Sequence, residues 1–325
     1  MRSSQMGLSL IELLVVLVLA LLLSLVMVGV YRTGFDGKVR AQNIAMLMDQ
    51  DVSTVTMNEQ LRLAGSGIGL FTQIQPSAVI TQPTQIAMLK FQGLSSKWLS
   101  QSRHADEPPH LNHLPSDQLT IWYVAPMDLW DCEGDLALGP RKARLKDGTM
   151  AMIDGQVVIE RYFVQAESDG SLSLRCDAAH FVTDVIDRDG TRDRRGVGAS
   201  FMTAIIDSAV SGRGAVTQPW VLKDSSTAGE IILPNIDGFW VQLLVGSQAQ
   251  SSQVAQMRIH EYQSQADGQP ILGVQYAIIS RASLAQQGVQ AAPIKIFDQT
   301  ISPPDDQLPR RLHTASLYFD SVVMP

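Results

Sequence analysis

Leu8-Ser9-Leu10-Ile11-Glu12-Leu13-Leu14-Val15-Val16, with the uncharged run that continues to Tyr31, decides how this chain folds. Leu13 to Tyr31 carries no charge. It has about the 20 residues an α-helix needs to cross a bilayer's hydrocarbon. Glu12 opens the run, and a carboxylate at bilayer depth costs about 2.5–3.5 kcal/mol on insertion scales, so it marks a function. Two blander readings compete. A secretory signal has an apolar core of roughly 7–15 residues and a small-x-small cleavage site. Here the run is longer, and Ser24 to Tyr31 offers no such site. A plain anchor leaves Glu12 unexplained. Arg2 is the only charge before Gly7, with Arg32, Lys38 and Arg40 after the span, so the positive-inside rule does not set the orientation.

Working outward, the pattern predicts one long helix from Leu8 to about Ala64, roughly 85 Å at 1.5 Å per residue. Gly29, Gly34 and Gly37 mark a place for a kink or local melting, because glycine costs about 1 kcal/mol inside a helix. Beyond them, Ala41, Ala45, Met48, Val52 and Val55 recur at helical spacing. This apolar stripe is expected to pack on a sheet, with Gln42, Asn43, Asp49, Gln50 and Ser53 on the rest of the surface. Gly65-Ser66-Gly67-Ile68-Gly69 follows as a glycine C-cap. It fails as a phosphate loop, since a helix precedes it and none clearly follows.

The remainder reads as β-rich. Strands are expected at Gln118 to Val124, Val157 to Val164, Ser171 to Cys176, Gly238 to Val245, Val254 to Glu261, Leu272 to Ser280 and Arg311 to Val323. A hairpin turn falls at Glu167-Ser168-Asp169-Gly170. Long polar or Pro/Gly-rich spacers run from Gln101 to Pro115, Asp184 to Gly198 and Ala285 to Pro309, and no internal repeat is visible. The fold class expected is α+β, with a long N-terminal helix packed on a β-rich domain.

With 25 basic and 32 acidic side chains among 325 residues, the net charge is −7. That argues against nucleic acid as a partner, whose binding rests on Lys and Arg at phosphates. The dense basic cluster, Arg192, Arg194 and Arg195, is interleaved with Asp187, Asp189 and Asp193 and reads as a solvated loop. No G-x-S-x-G elbow, H-E-x-x-H or P-loop is present, so no enzymatic activity is expected. His104, His110 and His113, near Asp106 and Glu107, have the donor types of a zinc or copper site but lie in a proline-containing segment with no regular period, which reads as an exposed loop. Asp187, Asp189 and Asp193, with Asp184 and Gly190, are weak candidates for calcium, because their spacing does not complete an EF-hand. No cofactor is assigned. Most of the five tryptophans are expected in the core, with Trp98 and Trp220, in turn-like sequence, as exposed interface anchors.

Met6-Gly7-Leu8-Ser9-Leu10-Ile11-Glu12 resembles the processing signal of type IV prepilins and type II secretion pseudopilins. The resemblance implies cleavage after Gly7, N-methylation of Leu8 and retention of Glu12 for assembly. Most members carry Phe where this chain has Leu8. It also implies a leader in the cytoplasm and a body outside: a single-pass inner-membrane precursor that moves to a pilus at the cell surface. Later segments are similar to the PilW family of minor pilins: Glu59 to Gly65 at the helix end, Asp131-Cys132-Glu133-Gly134, Tyr162-Phe163-Val164, Leu174-Arg175-Cys176, Val241 to Val245, Val274 to Ser283 and Arg310 to Thr314. The implied organisation is a leader at 1–7, a filament-core helix at 8–36, its amphipathic continuation at 37–64 and a head at 65–325. The implied partners are other minor and major pilins, the prepilin peptidase and the inner-membrane assembly platform. The rival within the superfamily is a J-type pseudopilin, typically shorter. From another class stands a membrane-anchored periplasmic binding protein or enzyme. Cys132 and Cys176, an even count in an exported domain, are expected to form one disulfide, against the alternative of two buried free thiols.

Overall fold

The computed structural model describes residues 10–67, 77–89, 95–102, 115–144, 150–153, 155–181, 221–223, 229–246, 254–265 and 269–319. Helix α1, Leu10–Arg62, runs for 53 residues, about 80 Å. It continues through Gly29, Gly34 and Gly37 as helix, so the expected local melting is not seen. Glu12 in the first turn and Arg62 in the last oppose the helix dipole favourably. The chain leaves α1 at Gly65, whose φ of +81° favours glycine, and Gly65 N–H donates to the Trp122 carbonyl at 2.9 Å.

Residues 10–35 of α1 are all exposed. From Val39 onward the helix lies on a sheet, but not by the expected face. The buried side chains are Val39, Asn43, Gln50, Thr54, Met57 and Leu61. Met48, Val52 and Val55 are 62%, 66% and 59% exposed, and Ala41 and Ala45 also face outward. The expected orientation is therefore corrected: the apolar stripe points away from the body. The reason lies in partners distant in sequence. Asn43 Nδ2 donates to the Leu284 carbonyl at 3.0 Å and Gln50 Nε2 to the Pro234 carbonyl at 2.8 Å. The amide side chains of Asn43 and Gln50 are themselves buried and need partners, which these two carbonyls supply. The Tyr276 hydroxyl donates to Asn58 Oδ1 at 2.7 Å, and Arg311 pairs with Asp51 at 2.7 Å. To the main core the helix end contributes Met57, Leu61 and the adjoining Ala64.

The sheet has eight antiparallel strands. Its main path is β1 (Leu119–Val124), β6 (Val157–Ala166), β7 (Leu172–Phe181), β9 (Glu230–Gly246), β11 (Ile271–Arg281) and β14 (Arg310–Tyr318). β8 (Val221–Lys223) pairs with β7, and β10 (Val254–Arg258) with β9. The β6–β7 hairpin turns where expected, with Glu167 N–H donating to the Ser171 carbonyl and Gly170 at φ +80°. β9 is longer than its apolar core announced. It pairs with β7 through Glu230–Ile236 and with β10 through Gln242–Gly246. Between them its exposed ladder is completed by a loop: the Ser116 hydroxyl takes Phe239 N–H and Asp117 Oδ2 takes Val241 N–H.

Alternate residues of a strand face opposite sides. On β11, Val274, Tyr276 and Ile278 join the main core with Phe239 and Leu61, while Ala277 and Ile279 join a second cluster with Trp240. That second cluster is closed by Ile296 and Ile301 from the hairpin β12 (Ile294–Ile296) and β13 (Gln299–Ile301). The hairpin lies within the stretch expected to be a spacer, Ala285 to Pro309, because its strands are three residues each and carry too little periodicity to read. A second correction concerns Val254 to Glu261. The strand stops at Arg258, and helix α3 (Ile259–Gln265) begins, with Glu261 Oε2 taking the Arg258 N–H at 2.9 Å in the manner of a capping box. Short helix α2 (Pro83–Leu89) and the hairpins β2–β3 (Leu129–Trp130 with Leu136–Ala137) and β4–β5 (Arg141–Arg144 with Met150–Ile153) were not foreseen.

Candidate functional site

The described part of the N-terminal signal is Glu12, exposed in the first turn of α1 among Leu10, Ile11, Leu13 and Leu14. Gly7 and Leu8 lie outside the described residues, as do Asp187, Asp189, Asp193, His104, His110, His113 and Trp220. From Leu13 to Tyr31 the helix surface is uncharged all round, and the helix is long and apolar enough to cross a membrane. The outward stripe of Ile44, Met48, Val52 and Val55 prolongs this surface along the body. One continuous apolar flank thus runs along most of α1, while the amides of the opposite flank hold the head.

Cys132 and Cys176 are bonded, with their Cα atoms 6.1 Å apart. The bond ties the β2–β3 hairpin to β7. Beneath it lies a wholly buried acid, Glu160 on β6. Its carboxylate accepts from the Tyr162 hydroxyl at 2.7 Å, the Tyr123 hydroxyl at 3.1 Å and the Cys132 N–H at 3.1 Å. Burial pushes the Glu160 carboxyl up to about 7, and the charge of nearby Asp131 adds to that, although the two tyrosines and the Cys132 N–H favour the ionised form. Burial, with Glu160 beside them, also raises both tyrosines above their usual range. Asp131 Oδ1 takes the N–H groups of Glu133 and Asp135, shaping the turn, while Oδ2 lies 2.8 Å from His180 Nε2. Enclosed on all sides, these groups hold elements together. Their charges are countered by pairing and hydrogen bonds, as buried charges must be.

Trp98 corrects the expectation of an exposed anchor. It is buried, with the Arg161 guanidinium 5.4 Å from its ring centre and 4.1 Å from that of Phe163. Arg161 also pairs with Asp177 at 2.9 Å. Among the described residues the exposed tryptophan is instead Trp130, 63% exposed and paired with Leu136 in the disulfide-bound hairpin. Trp130 was not singled out from the sequence.

A cleft between Trp240, Arg258, His260 and the β12–β13 hairpin encloses about 30 Å³. That holds one or two waters, against roughly 300–1,000 Å³ for small-molecule pockets. Among the described residues no group of three or more His, Cys, Asp or Glu side chains is placed to hold a metal ion.

No protein-family model, no curated protein and no solved structure matches this chain.

Proposed function

We propose that the chain is a minor pilin, PilW-like, which is made as an inner-membrane precursor and enters the complex that primes or caps a type IV pilus. The observation that carries this reading is the division of α1: an apolar flank led by Glu12 and free of the body, and a polar flank fixed to the sheet. A soluble domain would bury the apolar flank. Assembly of like helices would bury it against neighbours, and the body would be carried outside the bundle.

Cleavage after Gly7 frees the Leu8 amine. An amine and a carboxylate are each costly in hydrocarbon and far less so as a pair. Glu12 of one subunit meets the Leu8 amine of the next and sets the axial register, as buried polar pairs do elsewhere. The disulfide suits a body outside the reducing cytoplasm. Other pilins, the prepilin peptidase and the inner-membrane assembly platform are the partners in this scheme.

The test is the intact mass of membrane-extracted protein made together with a prepilin peptidase. The expected product begins at an N-methylated Leu8. Recovery of a chain that still carries residues 1–7 overturns the reading.

A further inference from the structure

The last turn of α1 and the disulfide-bound hairpin are joined through side chains that no pilin role requires. Gln60 Nε2 donates to the Trp130 carbonyl at 2.7 Å, and the Tyr123 hydroxyl lies 3.4 Å from Gln60 Oε1. Two residues on, the Cys132 N–H donates to Glu160, which also holds Tyr123 and Tyr162. One short segment, 130–132, therefore contacts the helix by its carbonyl and the buried acid by its amide. The hairpin itself has only two paired residues per strand. Such a hairpin is not stable alone. It is held down by the Cys132–Cys176 bond, by Glu133 Oε2, which accepts the Ala178 N–H at 3.0 Å, and by Asp131 Oδ2, 2.8 Å from His180 Nε2.

We propose that the Cys132–Cys176 disulfide is a redox-sensitive latch on the long helix: when the bond is formed, residues 129–137 clamp the end of α1 through Gln60, and when it is reduced that clamp opens while the rest of the helix seat stays closed.

The groups around the latch include Gln60 from α1, Tyr123 from β1, Glu160 and Tyr162 from β6, Asp131 and Glu133 from the hairpin and His180 from β7. Cys176 is fully buried and Cys132 is partly exposed, so a reductant meets the bond from the Cys132 side. A dithiol performs the opening. Its thiolate attacks Cys132 Sγ, Cys176 leaves as a thiolate and takes up a proton, and the second thiol closes the reductant into a cyclic disulfide, releasing Cys132 as a thiol. Two electrons pass from the dithiol to the protein. With the bond gone, residues 129–137 keep two ties to β7, Glu133 on the Ala178 N–H and Asp131 on His180, while the segment at 130–132 loses its covalent hold and the Cys132 N–H and Trp130 carbonyl contacts loosen. Upstream, α1 stays fixed by Asn43 on Leu284, Gln50 on Pro234 and Asp51 on Arg311.

Hydrogen exchange followed by mass spectrometry on the full chain in detergent micelles, with and without dithiothreitol, tests the latch. After reduction, exchange accelerates about tenfold in residues 129–137 and in 58–64, the effect of losing one hydrogen-bonded tie. Residues 39–54 and 271–281 keep their rates. Unchanged rates at 58–64 overturn the proposal. So does equal acceleration everywhere, because the bond would then hold the whole fold rather than this clamp. Gln60→Ala in the oxidised chain gives an independent reading: rates at 58–64 rise with the disulfide intact, and unaltered rates there overturn the proposal too.

Discussion

Replacing Glu160 with glutamine removes one buried titratable group and leaves its shape. In the folded chain the carboxyl is raised from an ordinary 4.5 to about 7. The folded state therefore favours the protonated acid. Its contribution to stability is full below about pH 4.5, declines as pH rises and is lost above about 7. A span of about 2.5 pH units, at about 1.4 kcal/mol each, amounts to about 3 kcal/mol. Urea unfolding of the full chain in micelles, followed by tryptophan fluorescence between pH 4 and 8, measures it. Every other ionisable group, His180 and Asp131 included, is common to both proteins, so the difference between them isolates residue 160. Relative to wild type, Glu160→Gln gains about 3 kcal/mol between pH 4.5 and 7.5. Parallel curves across that window would refute the claim that burial outweighs the three hydrogen bonds to the carboxylate.

Glu12→Ala is expected to be cleaved by prepilin peptidase yet fail to assemble, so normal piliation in that strain would remove Glu12 from the register pair. Val52→Asp changes an exposed side chain and should shift folding stability by no more than about 0.5 kcal/mol, while abolishing incorporation into filaments; ordinary incorporation would show that the outward stripe faces water. Met57→Ala empties a site only 2% exposed under the sheet and should lower unfolding stability by about 2–5 kcal/mol in the same urea assay, with a smaller loss showing that the helix end packs loosely.

The apolar run, the end of α1 at glycine, the β6–β7 hairpin and most of the long strands were legible because each is a local pattern: an uncharged stretch, a helix stop, a period of two residues. The cysteine pair followed from a count of two. Short elements escaped. β12 and β13, at three residues each, exist because Trp240 and Ile279 need cover, which no local signal records. α3 interrupts an apparent strand because Glu261 caps it.

What the chain's own order determined is that residues 10–62 form a helix, that its surface from Leu13 to Tyr31 is uncharged all round, and that a β-rich body follows: hydrophobicity and period are properties of neighbours in sequence. Which flank of the helix faces that body was decided by the tertiary structure. Apolar spacing pointed to Met48 and Val52, but the buried amides of Asn43 and Gln50 find their acceptors in the carbonyls of Leu284 and Pro234, more than 180 residues away. The same holds for Glu160, whose burial depends on Tyr123, Tyr162 and Cys132 converging from three separate segments. A hydrogen bond between distant residues leaves no period in the sequence, so only the folded chain could show which groups need one another.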